Sequence, residues 1–503
     1  MELTNIKIES IVLKGYSSFS KEKIAALLLS QKNCSNIPGD FVIIIDGILH
    51  NQSITIIGTS IVSAIPYFYT KHNNKFAHGV SIFEVCKAAQ LQWQWDDFSL
   101  FCINSIEHTI NEHTIHAHIK RIPENSFITY YNHTLTIEKK EAGIKHNNFK
   151  NDNEVLEDYI TLCEGYFRNQ KKLLLSLSAG FDSRLLLATA LYFGEKPLLA
   201  TMGNSNATDV IVAKSIANSL NLSHQTIELV AEDYFKEENI FKIINATSGS
   251  KTFNHWHTYF FSNYFKNTEL LHLAGSNGEL ARTYYFDKGI IAKTADKIPI
   301  NLFDIYFKFK INKSDNYIIP SLLNASHKKK FIAIASIQNT KHGFLNSLDN
   351  FYTFERVRHF ISNGLALYNC NITTTSPFLD YRFINLCNHI HRHKKLNSIF
   401  HKTIINQLQP ALMQFGNNNI STSINNFNSN WYFLKEQPTT TYNPVNTIIQ
   451  SNAVKEIIIE SNYLNEWLNQ KERIKIWEEK KNRTIYFLLT MHYTSSYIKQ
   501  LCI

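Results

Sequence analysis

Glycine and proline are both scarce, at 17 and 10 of 503 residues, so long disordered linkers are not expected. The seven cysteines fall without C-x-x-C spacing, and their odd number argues against a disulfide framework and against a structural zinc site. A reducing cytoplasm suits such a set best. No apolar run approaches the roughly 18 residues that would suggest a membrane span, and the opening MELTNIKIES lacks the charged and apolar regions of a signal peptide. Nor is there a Lys/Arg run long enough for a nucleic-acid groove, and a net charge of +9 is small for this length. The expectation is a soluble cytoplasmic protein with no nucleic-acid partner and no membrane insertion.

What is present is a globular composition, 44% hydrophobic, on a chain long enough for about two or three domains. Residues 1–145 read as β-rich: 41–45, 54–57 and 127–131 are short β-branched or aromatic runs with turn residues between them. The polar stretch KHNNFKNDNE (145–154) reads as a domain boundary. Residues 155–503 form the second unit. Within it, the Asn-rich segment 416–430 reads as a loop, and amphipathic helices follow from Asn443 onward.

The second unit opens on KLLLSLSAGFDSRLLLATALY (172–192). Its apolar run 173–177 has the pattern of a strand buried on both faces of a parallel sheet. A tight loop follows, Ser178, Ala179, Gly180, Phe181, Asp182 and Ser183, and then a Leu/Ala-rich helix over 184–192. The first N–H groups of such a helix have no partner within it and can face an anion. Ser178 and Ser183 add hydroxyls. Asp182 adds a carboxylate suited to a Mg2+ that phosphates share. Next come a strand over 197–202 closed by Gly203, a helix over 209–220 and a strand over 224–229. This βαβαβ alternation predicts a parallel sheet, in which ligands bind beyond the carboxyl ends of the strands.

S-x-G-x-D-S after an apolar strand, a T-M-G strand end at Thr201, Met202 and Gly203, and D-x-x-x-A from Asp209 together resemble the ATP-pyrophosphatase loop of the asparagine synthetase superfamily. Three further stretches resemble that family in the same order: LLHLAGSNGELARTYY (270–285) its GxGxDE loop, SPFLD (376–380) its PFLD word, and KKLNSIFHKTIINQLQPALM (394–413) the segment carrying its catalytic lysine. The resemblance implies an α/β fold, with a parallel-sheet PP-loop (HUP-like) synthetase domain and a helical C-terminal part. It also implies ATP and Mg2+ as cofactors. Asp182 and Glu279 would be the metal ligands, Glu279 standing where the family has its first aspartate. Ala274 and Gly275 would let adenosine approach the backbone opposite Thr201, Met202 and Gly203. Lys402 would be the catalytic cation, with Lys394 and Lys395 as competitors. Arg184, Arg282, Arg356 and Arg358 are candidates for a pyrophosphate clamp.

The segments 56–69 and 113–132 resemble the end of the family's N-terminal, Ntn-hydrolase-like glutaminase domain. An active glutaminase of that class presents a cysteine as its first processed residue. Here Met1 and Glu2 open the chain and the nearest cysteine is Cys34, so this domain is expected to be catalytically silent. Ser276 and Thr373 stand where relatives carry groups that position or deprotonate substrate, so no base for an attacking amine is evident. The reading is an AMP-forming amide ligase that works without glutamine. It is similar to the lasso-peptide macrolactam cyclases, whose partners would be a precursor peptide and its processing protease. Two alternatives are amidation of a sugar acid or small metabolite in surface-polysaccharide synthesis, and a nucleotide-binding scaffold without turnover.

Overall fold

The computed structural model describes residues 6–141, 149–168, 172–282, 284–285, 302–339, 343–416 and 445–503. Met1, Glu2, residues 145–148 of the polar boundary, residues 417–430 of the Asn-rich segment and the start of the C-terminal stretch at Asn443 lie outside them. The architecture is mixed α/β: antiparallel sheets in the N-terminal part, a five-stranded parallel sheet, and helices toward the C-terminus.

The N-terminal strands are β1 (Lys7–Tyr16), β2 (Asp40–Leu49), β3 (Gln52–Thr59), β4 (Phe68–His72), β5 (Lys75–Gly79), β6 (Lys120–Arg121), β7 (Ser126–Tyr131) and β8 (Thr134–Lys139). One antiparallel sheet runs β1-β2-β3-β7-β8 and a smaller one β5-β4-β6. All three expected β runs fall inside β2, β3 and β7. Alternate residues of β2 serve different faces, as a period of two requires. Phe41, Ile43 and Ile45 pack with Ile24 and Leu28 of helix α1 (Lys21–Gln31), while Val42 and Ile44 join Ile57, Tyr67 and Ile128 on the other side. The Ser20 hydroxyl caps α1 by accepting from the Lys23 N–H.

Helices α2 (Ile82–Ala89) and α3 (Asp97–Ile106) are capped by Ser81 and Asp96. Their apolar faces belong to the main core: Phe83, Val85, Phe101 and Ile103 share it with Tyr159, Leu174, Trp256 and Leu488. That core therefore runs through both halves of the sequence. A buried polar seam accompanies it. Arg358 pairs with Glu124 at 3.0 Å, both almost fully buried, and the Asp380 carboxylate accepts from the Gly39 N–H at 2.8 Å and the Tyr166 hydroxyl at 3.0 Å. Removing one partner of a buried pair leaves the other charge uncompensated. Glu124→Ala is expected to destabilise the chain by about 3–5 kcal/mol, seen as an earlier midpoint in chemical denaturation; an unchanged midpoint would show that the Arg358–Glu124 pair is dispensable.

After α4 (Asp152–Phe167), whose Asn151 and Glu154 form a capping box, the parallel sheet is built from β9 (Leu173–Ser176), β10 (Leu198–Met202), β11 (His224–Ile227), β12 (Leu271–Leu273) and β13 (Thr374–Thr375). The spatial order is β11-β10-β9-β12-β13, every pair parallel. Leu173, Leu174 and Leu175 are buried, as a central strand demands. Helix α5 (Phe181–Tyr192) follows β9, and α6 (Thr208–Ser219) joins β10 to β11. The chain moves outward from β9 to β11, then returns to the other side of β9 to lay down β12. That reversal makes a switch point between β9 and β12, where crevices form at the strands' carboxyl ends.

The C-terminal stretch forms the helices Asn452–Glu460, Gln470–Glu478 and Asn482–Leu501, the last two separated where Lys480 takes a left-handed φ of 50°. No described helix is long and apolar enough to cross a membrane.

Candidate functional site

Three sequence motifs meet at the switch point. The loop after β9 carries 178–183, the loop after β12 carries 274–279, and SPFLD follows β13. The Ser376 hydroxyl donates to the Ser276 carbonyl at 2.8 Å, and the Asn277 amide donates to the Phe378 carbonyl at 2.6 Å, so the second and third loops are stitched together. Beneath them His272 bridges three strands, with Nε2 at 2.5 Å from the Ser176 hydroxyl and Nδ1 at 3.1 Å from Thr374. Burial pushes this imidazole down to about 3. It is a neutral strut.

The first loop is held by its own side chains. Gly180 N–H donates to the Ser178 hydroxyl at 3.1 Å, Ser178 N–H donates to the Ser183 hydroxyl at 3.1 Å, and the two hydroxyls lie 3.0 Å apart. Ala179 N–H donates to the Asp209 carboxylate at 2.8 Å. The hydroxyls expected to face a phosphate thus face each other and shape the turn. Helix α5 begins at Phe181, three residues earlier than its sequence pattern suggests, because Gly180 supplies an extended N-cap without a side-chain cap. Asp182 therefore lies in the first turn. At the β10 end, where adenosine was expected, the Thr201 hydroxyl donates to the Leu177 carbonyl at 2.7 Å and meets His224 at 2.9 Å, and Gly203 takes a φ of 145°. Ala274 is buried and Gly275 half-buried at the β12 end.

Asp182 and Glu279 do come together. Arg282 lies between them, with one nitrogen 3.2 Å from Asp182 Oδ2 and 3.6 Å from Glu279 Oε1. The approach depends on glycine at two positions: a Cβ on Gly278 would stand 2.6 Å from Asp182 Oδ1, and one on Gly275 would stand 3.2 Å from the Asp182 Cβ. His401, fully buried, places Nε2 2.8 Å from Asp182 Oδ1. Beyond this contact, neither atom meets a hydrogen-bond partner among the described residues. The Tyr352 hydroxyl donates to Glu279 Oε2 at 2.9 Å. Burial by itself would raise both carboxyls. At Asp182 the His401 ring and Arg282 outweigh burial and hold it below the ordinary range; at Glu279 burial and the Asp182 charge win over Arg282 and push it up. Two neighbouring carboxyls driven in opposite directions are a signature of functional sites.

Lys402 is on the helix Ile399–Leu408, which packs along α5, and its ammonium is 5.3 Å from the centre of the Phe181 ring. Burial lowers it to about 8. The competing lysines are elsewhere: Lys394 pairs with Asp152, and Lys395 is buried 3.5 Å from Asp349. Of the arginines, Arg282 alone touches the carboxylates. Arg184 donates to the carbonyls of Ala179, Leu412, Phe415 and Gly416, lashing the loop to the segment after the lysine helix. Arg358 is sealed in the seam with Glu124, and Arg356 stacks on Tyr284 and Phe360. His401 and Tyr352 were not singled out from the sequence. The only signal for His401 was its place beside Lys402, and Tyr352 had none.

A magnesium ion fits the donors present. Mg2+ commonly takes one or two protein carboxylates and completes its shell with water and substrate phosphate. Two hard oxygen donors converge here on either side of Arg282, Asp182 Oδ1 facing only the His401 ring, and no group of three or more metal-ligating side chains occurs among the described residues. In the N-terminal part, Cys34 is buried beneath Gly58, whose Cβ would stand 2.9 Å from its sulfur, and burial pushes the thiol up to about 12. It is a core residue.

No family model matches the chain, and no curated protein matches it.

Proposed function

We propose that the chain is an ATP-dependent, AMP-forming carboxylate–amine ligase of the asparagine-synthetase type. The observation that supports this most is the meeting of Asp182 and Glu279 at the switch point of a parallel sheet, with Lys402 on the helix against the same loop. Asp182 and Glu279 would hold Mg2+, which when bound neutralises phosphate oxygens and polarises the α-phosphate. The first turn of α5, whose N-cap Gly180 offers no side-chain acceptor, leaves backbone N–H groups that suit an anion. Lys402 carries the positive charge that meets the transition state of adenylation and then of amide formation. Gly275 gives the nucleotide close access to the backbone of the β12 end.

The nucleophile in this reading is an amine other than glutamine-derived ammonia, as in a peptide cyclase. A thiol buried and raised to about 12 does not supply thiolate near neutral pH. Purified protein is therefore expected to release no glutamate from glutamine, with or without ATP. Glutamate release keeping pace with ATP consumption would overturn that part of the reading. The ligase itself is tested with α-labelled ATP and a panel of carboxylates and amines: label should appear in AMP in step with amide.

A further inference from the structure

Arg356 lies in the π-helical stretch Tyr352–Ile361, which interrupts an otherwise α-helical rod from Phe344 to Asn369. Such interruptions occur often at functional sites. The wider turn sets Tyr352, Arg356 and Phe360 along one face. The Arg356 guanidinium is 5.1 Å from the centre of the Tyr284 ring and 4.3 Å from that of Phe360. It makes no ion pair with any described carboxylate, and its Nε is buried without a hydrogen-bond partner.

Other cations gather around it. The Lys251 ammonium is 3.4 Å from the centre of the same Phe360 ring and donates to the Phe360 carbonyl at 2.9 Å. Lys310 sits 4.4 Å from the centre of the Tyr285 ring, next to Tyr284. Burial, reinforced by the Arg356 charge, lowers both lysines to about 7. The field of Glu107 reaches all three cations, but that carboxylate also contacts His255 at 3.2 Å. Three cations withdrawn from water around one shared carboxylate are costly to hold together. Aromatic faces offset part of this. The cluster is open to solvent on one side: Tyr284 is 37% exposed, and Arg356 and Lys310 are half-buried.

Its position relative to the carboxylates is defined by rings. Tyr284 stacks on Tyr352 with centroids 4.7 Å apart, and Tyr352 donates to Glu279 at 2.9 Å. One aromatic layer, Tyr284 on Tyr352, links the cations to the carboxylate pair at Glu279. A fork of guanidinium donors suits a planar carboxylate.

We infer that Arg356 and Lys310, backed by Lys251, form a subsite for a substrate carboxylate other than the one that reacts, so that the acid taken by this chain carries at least two carboxyl groups. The assignment of a reacting carboxylate rests on the ligase reading; anion recognition by the cluster does not. The test is therefore run without ATP, by calorimetry on the full chain at low salt, with glutarate as probe and its neutral diamide as control. Glutarate binds and the diamide does not. Arg356→Gln and Lys310→Gln each weaken glutarate at least tenfold, Arg356→Lys weakens it less than Arg356→Gln, and Lys14→Gln, exposed on β1, leaves it unchanged. Lys310 is half-buried on a helix, so its variant keeps the subsite testable where an Arg356 variant is poorly folded. Absence of glutarate binding to the unmodified chain, or equal binding by the Lys310 variant, overturns the subsite. Displacement of glutarate by equimolar pyrophosphate assigns the cluster to the leaving group and also overturns it. Loss of ATP turnover in other assays bears on the ligase reading and leaves this result standing.

Discussion

Asp182→Asn is expected to cut AMP formation from ATP about a thousandfold or more, which corresponds to about 4 kcal/mol of transition-state stabilisation. The amide keeps the shape of the side chain, so Gly275 and Gly278 still accommodate it and no cavity opens. Arg282 retains Glu279 at 3.6 Å as a partner. Circular dichroism and the thermal midpoint should therefore stay close to those of the unmodified chain, while turnover collapses. Glu279→Gln should show the same pattern. Full activity in the Asp182 variant would remove the loop from the mechanism, and ADP as product in place of AMP would remove the proposed chemistry altogether.

The second large effect belongs to Lys402. Lys402→Ala is expected to lower kcat by about two to three orders of magnitude while ATP affinity changes little, because the charge it meets develops mainly in the transition state. Lys402→Arg should restore little, since a planar guanidinium does not replace a compact ammonium. The pH dependence follows from burial, which lowers this lysine to about 8. In the free chain the charged form is lost as pH rises through about 8, so kcat/KM for AMP formation should fall on that limb. Stability runs the other way. Between about 8 and the ordinary lysine value, the unfolded chain binds the proton that the folded chain has released, so this group makes stability rise with pH across that window. A kcat/KM that stays level to pH 10 would show that the ammonium is not required in the free chain.

Much of the site's framework was legible because it lies in local patterns. Leu173–Leu175 announced a doubly buried strand, and the β10, α6 and β11 segments fell within a few residues of their expected bounds. What was not legible depends on contacts distant in sequence. The order β11-β10-β9-β12-β13 is a property of crossovers, and β13 is only two residues long, too short for any periodicity. The inward turn of Ser178 and Ser183 reflects a loop satisfying its own donors, which residue type does not disclose. Arg358 looks like a surface cation in the string FERVRHF, yet a π-helical turn and Glu124 take it into the interior. Tyr352 reaches Glu279 across 73 positions of sequence.

The seam at Asp380 has a bearing on how this molecule can be divided. The chain connects its two halves through the stretch around 142–148, which invites the view of two modules on a string. The packing contradicts that view. Phe83 meets Tyr497 edge-on, Trp95 meets Trp467, and Arg483 donates to the Ser105 carbonyl, so the C-terminal helices are clasped by the N-terminal part. Asp380, inside the word SPFLD, is fully buried, and alongside Tyr166 and the Arg382 fork it takes one hydrogen bond from the N-terminal part, at Gly39. Expressing residues 149–503 alone would strip one wall from the main core, take the Gly39 N–H from Asp380 and leave Arg358 without Glu124. The N-terminal part is accordingly not cargo: it supplies one side of the interior that the other half packs against.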